Sequence, residues 1–337
     1  MAFGSRMQQL QAQDARLYST FRLAATLQQV TLLSSLAELH TYQPHKAPLV
    51  LGEGSNSIFL ADYQGEIVRY LAAGVSESVQ QDQLLLHVEA GHNWHQLVMK
   101  MASNGWWGLE NLALIPGSVG AAPVQNIGAY GVEFADCCVY VDFYHWQQRQ
   151  VIRLSRADCQ FGYRDSIFKQ QLAGQGLIVA VGLQLKRQGR AVTRYQGLEQ
   201  LTADCSPQDV VAAVIALRQS KLPDPAQLAN CGSFFKNPLL SASQFQSLQA
   251  IYPTLPNYPQ PDGSYKVAAA WLIDQSGFKG YRLGGVGCYQ RQPLVLVNYG
   301  QGTAAELLAL VTAIQHKVRQ QFAVELEPEV RMMLADE

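Results

Sequence analysis

The sequence contains no apolar run near the roughly 18 residues that a membrane-spanning helix requires, so nothing in it reads as a transmembrane segment. After Arg6, the polar residues Gln8, Gln9, Gln11, Gln13 and Asp14 interrupt any signal-peptide core, and the chain is expected to stay in the cytosol. Charge is scarce: 15% of residues are Asp, Glu, Lys or Arg, and the net charge is -1 with no long like-charge run. That pattern offers no electrostatic footprint for nucleic acid or an anionic membrane, and a small-molecule partner is the better expectation. The six cysteines, at 137, 138, 159, 205, 231 and 288, form no C-x-x-C pair. His92 and His95 lack a third ligand of suitable spacing and read as polar residues at a helix start, so zinc and a disulfide framework both give way to buried free thiols. Neither G-x-G-x-x-G nor G-x-x-x-x-G-K-[ST] occurs, which argues against a standard Rossmann site and a P-loop.

What is present is apolar substance. With 337 residues and 48% hydrophobic content the chain can fill two or three packed units, since single cores stop growing near about 250 residues. Strand-like runs occur at Leu49–Leu51, Ile58–Leu60, Ile67–Val68, Leu84–Val88, Val139–Val141 and Ile178–Val181. A helix is predicted from Asn93 to Ala102, closed by Asn104-Gly105. Ser206-Pro207 opens a second helix with Val210, Val214 and Leu217 on one face, and Thr303-Ala304-Ala305-Glu306 has the capping-box spacing of a third, carrying Leu307, Val311, Ile314 and Val318. Lys221-Leu222-Pro223-Asp224-Pro225 reads as an extended linker and marks a domain boundary, because each proline disfavours helix in the residue before it. The alternation points to a mixed α+β protein.

Five segments could carry chemistry. Leu51, Gly52, Glu53, Gly54, Ser55, Asn56 and Ser57 form a glycine-rich turn between apolar strands, able to turn successive N–H groups toward a diphosphate, with the Glu53 carboxylate pointing away. By itself such a turn is a weak signal, since glycine turns between strands are usually only turns. From Ile115 to Gly131, four glycines and three alanines let backbone approach a flat ring closely, with Ile115, Val124 and Ile127 to sandwich it; a flavin fits, and a tight interdomain loop is the bland alternative. Gly162-Tyr163-Arg164-Asp165-Ser166-Ile167-Phe168-Lys169 sets a guanidinium among aromatics, suited to a substrate carboxylate or simply paired with Asp165. In Asn230–Pro238, Gly232 leaves room beside the Ser233 hydroxyl and Asn237-Pro238 marks a turn; without G-x-S-x-G the nucleophile-elbow reading lacks support. Leu326-Glu327-Pro328-Glu329-Val330-Arg331 places two acids in an extended segment that could be a solvated strand or could face Arg164.

Taken together, L-G-E-G-S-N, G-L-E-N-L-A-L-I-P-G, Q-N-I-G-A-Y-G-V-E, F-G-Y-R-D-S-I-F-K, K-L-P-D-P, G-S-F-F-K-N-P, P-N-Y-P-Q, W-L-I-D-Q and L-E-P-E-V-R resemble the UDP-N-acetylenolpyruvoylglucosamine reductase (MurB) family in its longer form, in order from about Leu49 to Arg331. The resemblance implies an α+β fold in which a two-part FAD-binding domain of the vanillyl-alcohol-oxidase type precedes an α+β substrate-binding domain. The implied boundaries are residues 1–74 and 75–220 for the two FAD-binding subdomains, 221–325 for the substrate domain and 326–337 for a C-terminal strand carrying a catalytic Glu. It also implies NADPH as co-substrate and reduction of UDP-N-acetylenolpyruvoylglucosamine to UDP-N-acetylmuramate in peptidoglycan precursor synthesis, by a monomer that binds neither nucleic acid nor membrane.

Carried over by position, Ser233 resembles the family's proton donor, with Arg164 and Glu329 orienting the carboxylate. Tyr195, Lys221, Asn237, Tyr258 and Gln292 resemble the nucleotide-sugar contacts, Tyr258 as a lid residue in a proline-flanked loop. Leu51 to Ser57 would hold the FAD diphosphate, and Ile115, Pro116, Gly117, Ala121, Val124, Gln125, Asn126, Gly128, Ala129 and Tyr130 would line the isoalloxazine. The chain departs from the pattern at Ala121 and Ala122, where serine is common, at Arg22, where glycine is usual, and at Cys231, where a small alanine stands and where oxidative sensitivity near the flavin is expected. Rival readings are a flavin oxidase or dehydrogenase acting on another substrate, and a flavin-binding or nucleotide-sugar sensor without turnover. NADPH and the nucleotide sugar are expected to use one pocket in turn, since both carry anionic phosphates and no separate Rossmann site is visible.

Overall fold

The computed structural model describes residues 7–335 apart from 196 and 203. Gln196, in the flank of Tyr195, and the outermost residues of the first and last expected domains lie outside the described residues. The chain forms two compact units: one from the N-terminal residues up to Gln13, Leu27–Glu53 and Gln64–Arg218, the other from Asp14–Thr26, Gly54–Tyr63 and the chain from Gln219 onward.

The first unit carries two sheets. In one, the strands run in the order Gln8–Asp14, Thr26–Leu33, Tyr63–Tyr70, Leu49–Val50, the last pair parallel with Leu49 opposite Ile67. The other is antiparallel throughout, ordered Gln150–Ser155, Cys138–His145, Gly176–Lys186, Gln83–Glu89, Val75–Gln80. Its central strand, GLIVAVGLQLK, is apolar almost without interruption because it is buried along nearly its whole length. The edge strand VSESVQ is exposed and polar, which blunts further pairing. Gly182 faces Tyr140 across this sheet, and a Cβ there would lie 2.2 Å from the tyrosine ring, so only glycine lets the ring lie on the strand. Three helices accompany the sheets: α1 (Leu36–Thr41), α2 (Trp94–Ser103) and α3 (Pro207–Lys221). Asn93 caps α2 by accepting from Gln96 N at 3.0 Å, and Gly105, at φ 73°, ends it, as its sequence predicts. Lys221 corrects the linker expectation: it is the last residue of α3, because the proline restriction falls on Leu222 and not on the residue before it.

The second unit has an antiparallel sheet ordered Ala229–Ser233, Val295–Asn298, Val286–Cys288, Arg282–Leu283, and a smaller one ordered Leu239–Leu240, Tyr265–Val267, Asn257–Pro259. Its helices are α4 (Ala242–Ile251), α5 (Ala269–Gln275) and α6 (Ala304–Phe322). The capping box expected for α6 forms, with Glu306 N on Thr303 Oγ1 at 3.2 Å and Thr303 N on the Glu306 carboxylate at 2.9 Å. Leu307, Leu310, Val311, Ile314, Val318 and Phe322 are its buried stripe, each contributing about 1.5–3 kcal/mol through burial. Two expectations are corrected here. Asn237-Pro238 is extended backbone leading into a strand, held by Val267 N donating to Pro238 O at 2.9 Å, and is no turn. Tyr258 sits in a strand paired with Lys266 and not in a loop. Finally, Ser57–Phe59 pairs in parallel with Arg331–Met333, tying the glycine-rich turn to the C-terminal segment.

Candidate active site

Local backbone chemistry draws the predicted cofactor segments of the first unit together. A Cβ on Gly52 would lie 3.0 Å from Ser118 Oγ and 3.4 Å from Ala121 Cβ, so this turn rests on the alanine-bearing 3-10 turn Val119–Ala121. That turn is itself drawn onto a strand end: Gly120 N donates to Ala90 O at 2.9 Å, and a Cβ on Gly120 would lie 2.5 Å from Ala90 Cβ. The Glu53 carboxylate accepts from Asn93 Nδ2 at 2.9 Å, which gives it a protein partner at the start of α2.

The segment from Gln125 to Tyr130 is held from behind. Ser166 Oγ donates to Val124 O at 2.6 Å. Asn126 is 1% exposed, and its side chain donates to Glu133 and to Gly162 O and accepts from Ala135 N, so it can offer a ligand only its backbone. Asn111, which the motif reading did not single out, donates to Tyr130 O at 2.9 Å and Val192 O at 3.0 Å. Arg164 has φ 54° and donates from Nη2 to Gly128 O at 2.9 Å, which sets its guanidinium against the small-residue segment and 5.4 Å from the Tyr163 ring. Tyr195 meets Tyr130 edge-on at 5.5 Å between ring centres.

Beside them stand two residues that sequence reasoning missed. Arg218 lies against the Tyr130 hydroxyl; burial lowers its pKa, Tyr130 partly offsets this, and Arg164 lowers it further. Its Nε is buried and has no hydrogen-bond partner among the described residues. The sequence signal was available: Arg218 continues the buried Val210–Val214 stripe of α3, where an apolar residue would be expected. His95 accepts from Leu114 N at 3.0 Å, and burial followed by the Arg218 charge depresses its pKa. The corner is therefore rich in positive charge and backbone amide, as an anionic ligand with a flat ring requires.

In the second unit, Ser233 ends a strand opposite Val295 and is exposed. Asn230, 2% exposed, accepts from Gly232 N at 2.9 Å and fixes the approach to it. Gly232 has φ 69° and open space where a Cβ would stand. The buried Phe234 and Phe235 anchor the following residues, with Phe234 N on Leu294 O at 2.8 Å. On the other side, Glu329 N donates to Phe234 O at 2.8 Å and Lys236 N to Glu327 O at 2.9 Å. Asn56 Nδ2 donates to Glu329 O at 3.2 Å, while Arg331 N donates to Asn56 O at 3.0 Å. Ser233 and Glu329 thus belong to adjoining backbone segments.

Of the two C-terminal acids, Glu327 pairs with Lys236 at 2.6 Å. Gln292 lies just ahead of Val295, its carbonyl accepting from Val295 N at 3.0 Å, and its buried Oε1 has no partner among the described residues. Asn237 Oδ1 accepts from Ala269 N at 3.0 Å at the start of α5, so part of the side chain is committed to structure. Lys221 is exposed, as is Tyr258, at the edge of its sheet. Arg22 is explained by its backbone: φ is 57°, the left-handed region that suits glycine, and Asn298 holds it by donating to Phe21 O and Arg22 O. Cys231 is buried near Thr20, and burial pushes its thiol up to about 11, which works against the expected oxidative sensitivity because thiolate is scarce. Among the described residues no helix is long and apolar enough to cross a membrane, and no group of three His, Cys, Asp or Glu could hold a metal ion.

Comparison with known proteins bears on both parts of the chain. Residues 34–155 match an FAD binding domain, and residues 224–333 match the C-terminal domain of UDP-N-acetylenolpyruvoylglucosamine reductase. The UDP-N-acetylenolpyruvoylglucosamine reductase of Pasteurella multocida is 46% identical over 330 residues, 96% of this chain and 97% of that protein. Its counterpart in Escherichia coli K12 is 47% identical over 286 residues, covering 85% of this chain and 84% of that one. The crystal structure of the Thermus caldophilus reductase matches with a TM-score of 0.68 at 23% identity, covering 98% of this chain and 99% of that one, a likeness of fold.

Proposed function

The chain belongs to the UDP-N-acetylenolpyruvoylglucosamine reductase family, and from that membership we propose that NADPH is its reductant and that Arg164, Ser233 and Glu329 carry the reduction of the enolpyruvyl group. It is an FAD-binding oxidoreductase that reduces UDP-N-acetylenolpyruvoylglucosamine in peptidoglycan precursor synthesis. The residues present fit the cofactor: Gly52 and Gly120 let the turns that bear the predicted FAD contacts pack on Ser118, Ala121 and Ala90 without a side chain between them, and the buried Arg218 Nε has no partner among the described residues, a donor suited to an electronegative ligand atom.

When bound, FAD supplies a hydride, renewed from NADPH, to the terminal carbon of the enol ether. The remaining work belongs to the protein. Arg164, its guanidinium oriented by Gly128 O, pairs with the substrate carboxylate and stabilises the negative charge that hydride addition drives onto it. Ser233 gives its hydroxyl proton to the carbon bearing the ether oxygen, which completes the lactyl ether of UDP-N-acetylmuramate; Glu329 orients the carboxylate from the adjoining segment. The observation that supports the roles of Ser233 and Glu329 is the short ladder joining residues 234–236 to 327–329, which makes the two segments neighbours. Tyr195, Lys221, Asn237, Tyr258 and Gln292 are assigned to the nucleotide sugar, the buried Oε1 of Gln292 being an acceptor poised for a donor.

Bleaching of the yellow protein by NADPH, followed by recolouring on addition of the enolpyruvyl sugar, tests the reading. Bleaching without recolouring would overturn it in favour of another flavin dehydrogenase, and no bleaching would point to a sensor.

A further inference from the structure

The loop from Leu112 to Gly117 is strapped to the first turn of α2 at three points. Trp94 Nε1 donates to Leu112 O at 3.1 Å, Leu114 N donates to His95 Nδ1 at 3.0 Å, and Trp94 N donates to Gly117 O at 2.9 Å. Leu114 has φ 58°, a left-handed geometry that a leucine adopts only when its surroundings hold it there. The middle strap is the one that can titrate. A ring nitrogen that accepts from an amide needs a free lone pair, so the bond assigns the proton of the neutral imidazole to Nε2; an imidazolium has no acceptor to offer.

Resting on the reading that Ile115 to Gly117 line the isoalloxazine, we propose that His95 is a positioning residue for the flavin: as the neutral Nε2–H tautomer it takes the Leu114 amide on Nδ1 and holds the following residues in place against the ring. The elements packed around it agree with a neutral imidazole. From α3 the Arg218 guanidinium bears on the ring and disfavours a second positive charge. On the 3-10 turn Glu110–Leu112, the Glu110 carboxylate folds back onto Gly108 N at 2.6 Å. On α2 itself, Lys100 pairs with Glu77 at 2.6 Å, and at the residue before its cap the His92 ring bonds to Ala73 O at 3.1 Å. A histidine whose pKa in the folded protein lies below the ordinary 6.5 favours the folded arrangement of this strap above 6.5, and the advantage fades as pH falls below it.

The test follows FAD release from the full-length holoenzyme by flavin fluorescence on dilution, from about pH 8 to about pH 5. Wild type is expected to hold FAD at the upper end and to weaken about tenfold as the pH falls through the imidazole range, the scale of one lost buried hydrogen bond. His95→Asn, whose Oδ1 takes the place of Nδ1, should keep tight binding and lose that pH step. His95→Ala should bind about tenfold more weakly at every pH. If His95→Ala fails to fold, wild type and His95→Asn alone decide. A pH step retained in His95→Asn, or wild-type affinity in His95→Ala, would overturn the proposal. Gly117→Ala, which strains a φ of 125°, separates the two layers. Unchanged FAD affinity in Gly117→Ala would overturn the placing of the loop at the flavin and the proposal with it, whereas loss there with wild-type affinity in His95→Ala would overturn the histidine's part alone.

Discussion

Glu329 N donates to Phe234 O at 2.8 Å, which sets the residue after Ser233 directly beside the C-terminal acid. Phe235 and Pro328 face each other across the same antiparallel bridge, and Asn56 clamps Glu329 from its other side. Ser233, the proposed proton donor, and Glu329 are carried on neighbouring extended segments with buried phenylalanine anchors and are held by backbone, so their placement tolerates change at the surface.

Ser233→Ala should leave flavin reduction by NADPH unchanged and slow reoxidation by the enolpyruvyl sugar by about 10²- to 10⁴-fold, the usual worth of a positioned acid. Stopped-flow absorbance separates the two half-reactions. Equal loss in both would refute the assigned role.

NADPH and the nucleotide sugar should give parallel lines in double-reciprocal initial-rate plots, because each leaves before the other reacts. Intersecting lines would show that both are bound at once.

Arg22→Gly should change stability by no more than about 1 kcal/mol, since relief of left-handed strain offsets the added freedom of the unfolded chain. Arg22→Val, β-branched at a φ of 57°, should destabilise by about 1–3 kcal/mol. Denaturant melts of both variants check the contrast, and equal stability of the two would refute the strain argument.

The buried Cys231 thiol, pushed up to about 11, should resist iodoacetamide at neutral pH while activity is retained, with labelling accelerating only in alkaline solution. Mass spectrometry of the peptide reads this out. Rapid neutral labelling would show that the thiol is more accessible than its surroundings indicate.

Much of this protein was legible before folding, where the physics is local. Asn93 and Gly105 bound α2, and the Thr303–Glu306 box starts α6, because a cap is satisfied within a few residues of itself. The roles proposed for the motif residues, a guanidinium for a carboxylate and a glycine turn for phosphates, rest on residue type and on the family. The misreadings fell where a partner lies far along the chain. Tyr258 became a strand because Lys266 pairs with it, and Asn237-Pro238 stays extended because residues 267 and 269 bond to it. Arg218 was marked as buried by its place on the Val210–Val214 stripe, but only packing brings it to Tyr130.

The sequence by itself determined the family, the residue types available for the chemistry and the ends of several helices. The tertiary structure alone decided that residues 234–236 pair with 327–329, that Arg22 occupies a left-handed position, and that His95 accepts from Leu114. Each of these joins groups that no propensity connects, and each is fixed by hydrogen bonds that form only once burial has removed water as the alternative partner.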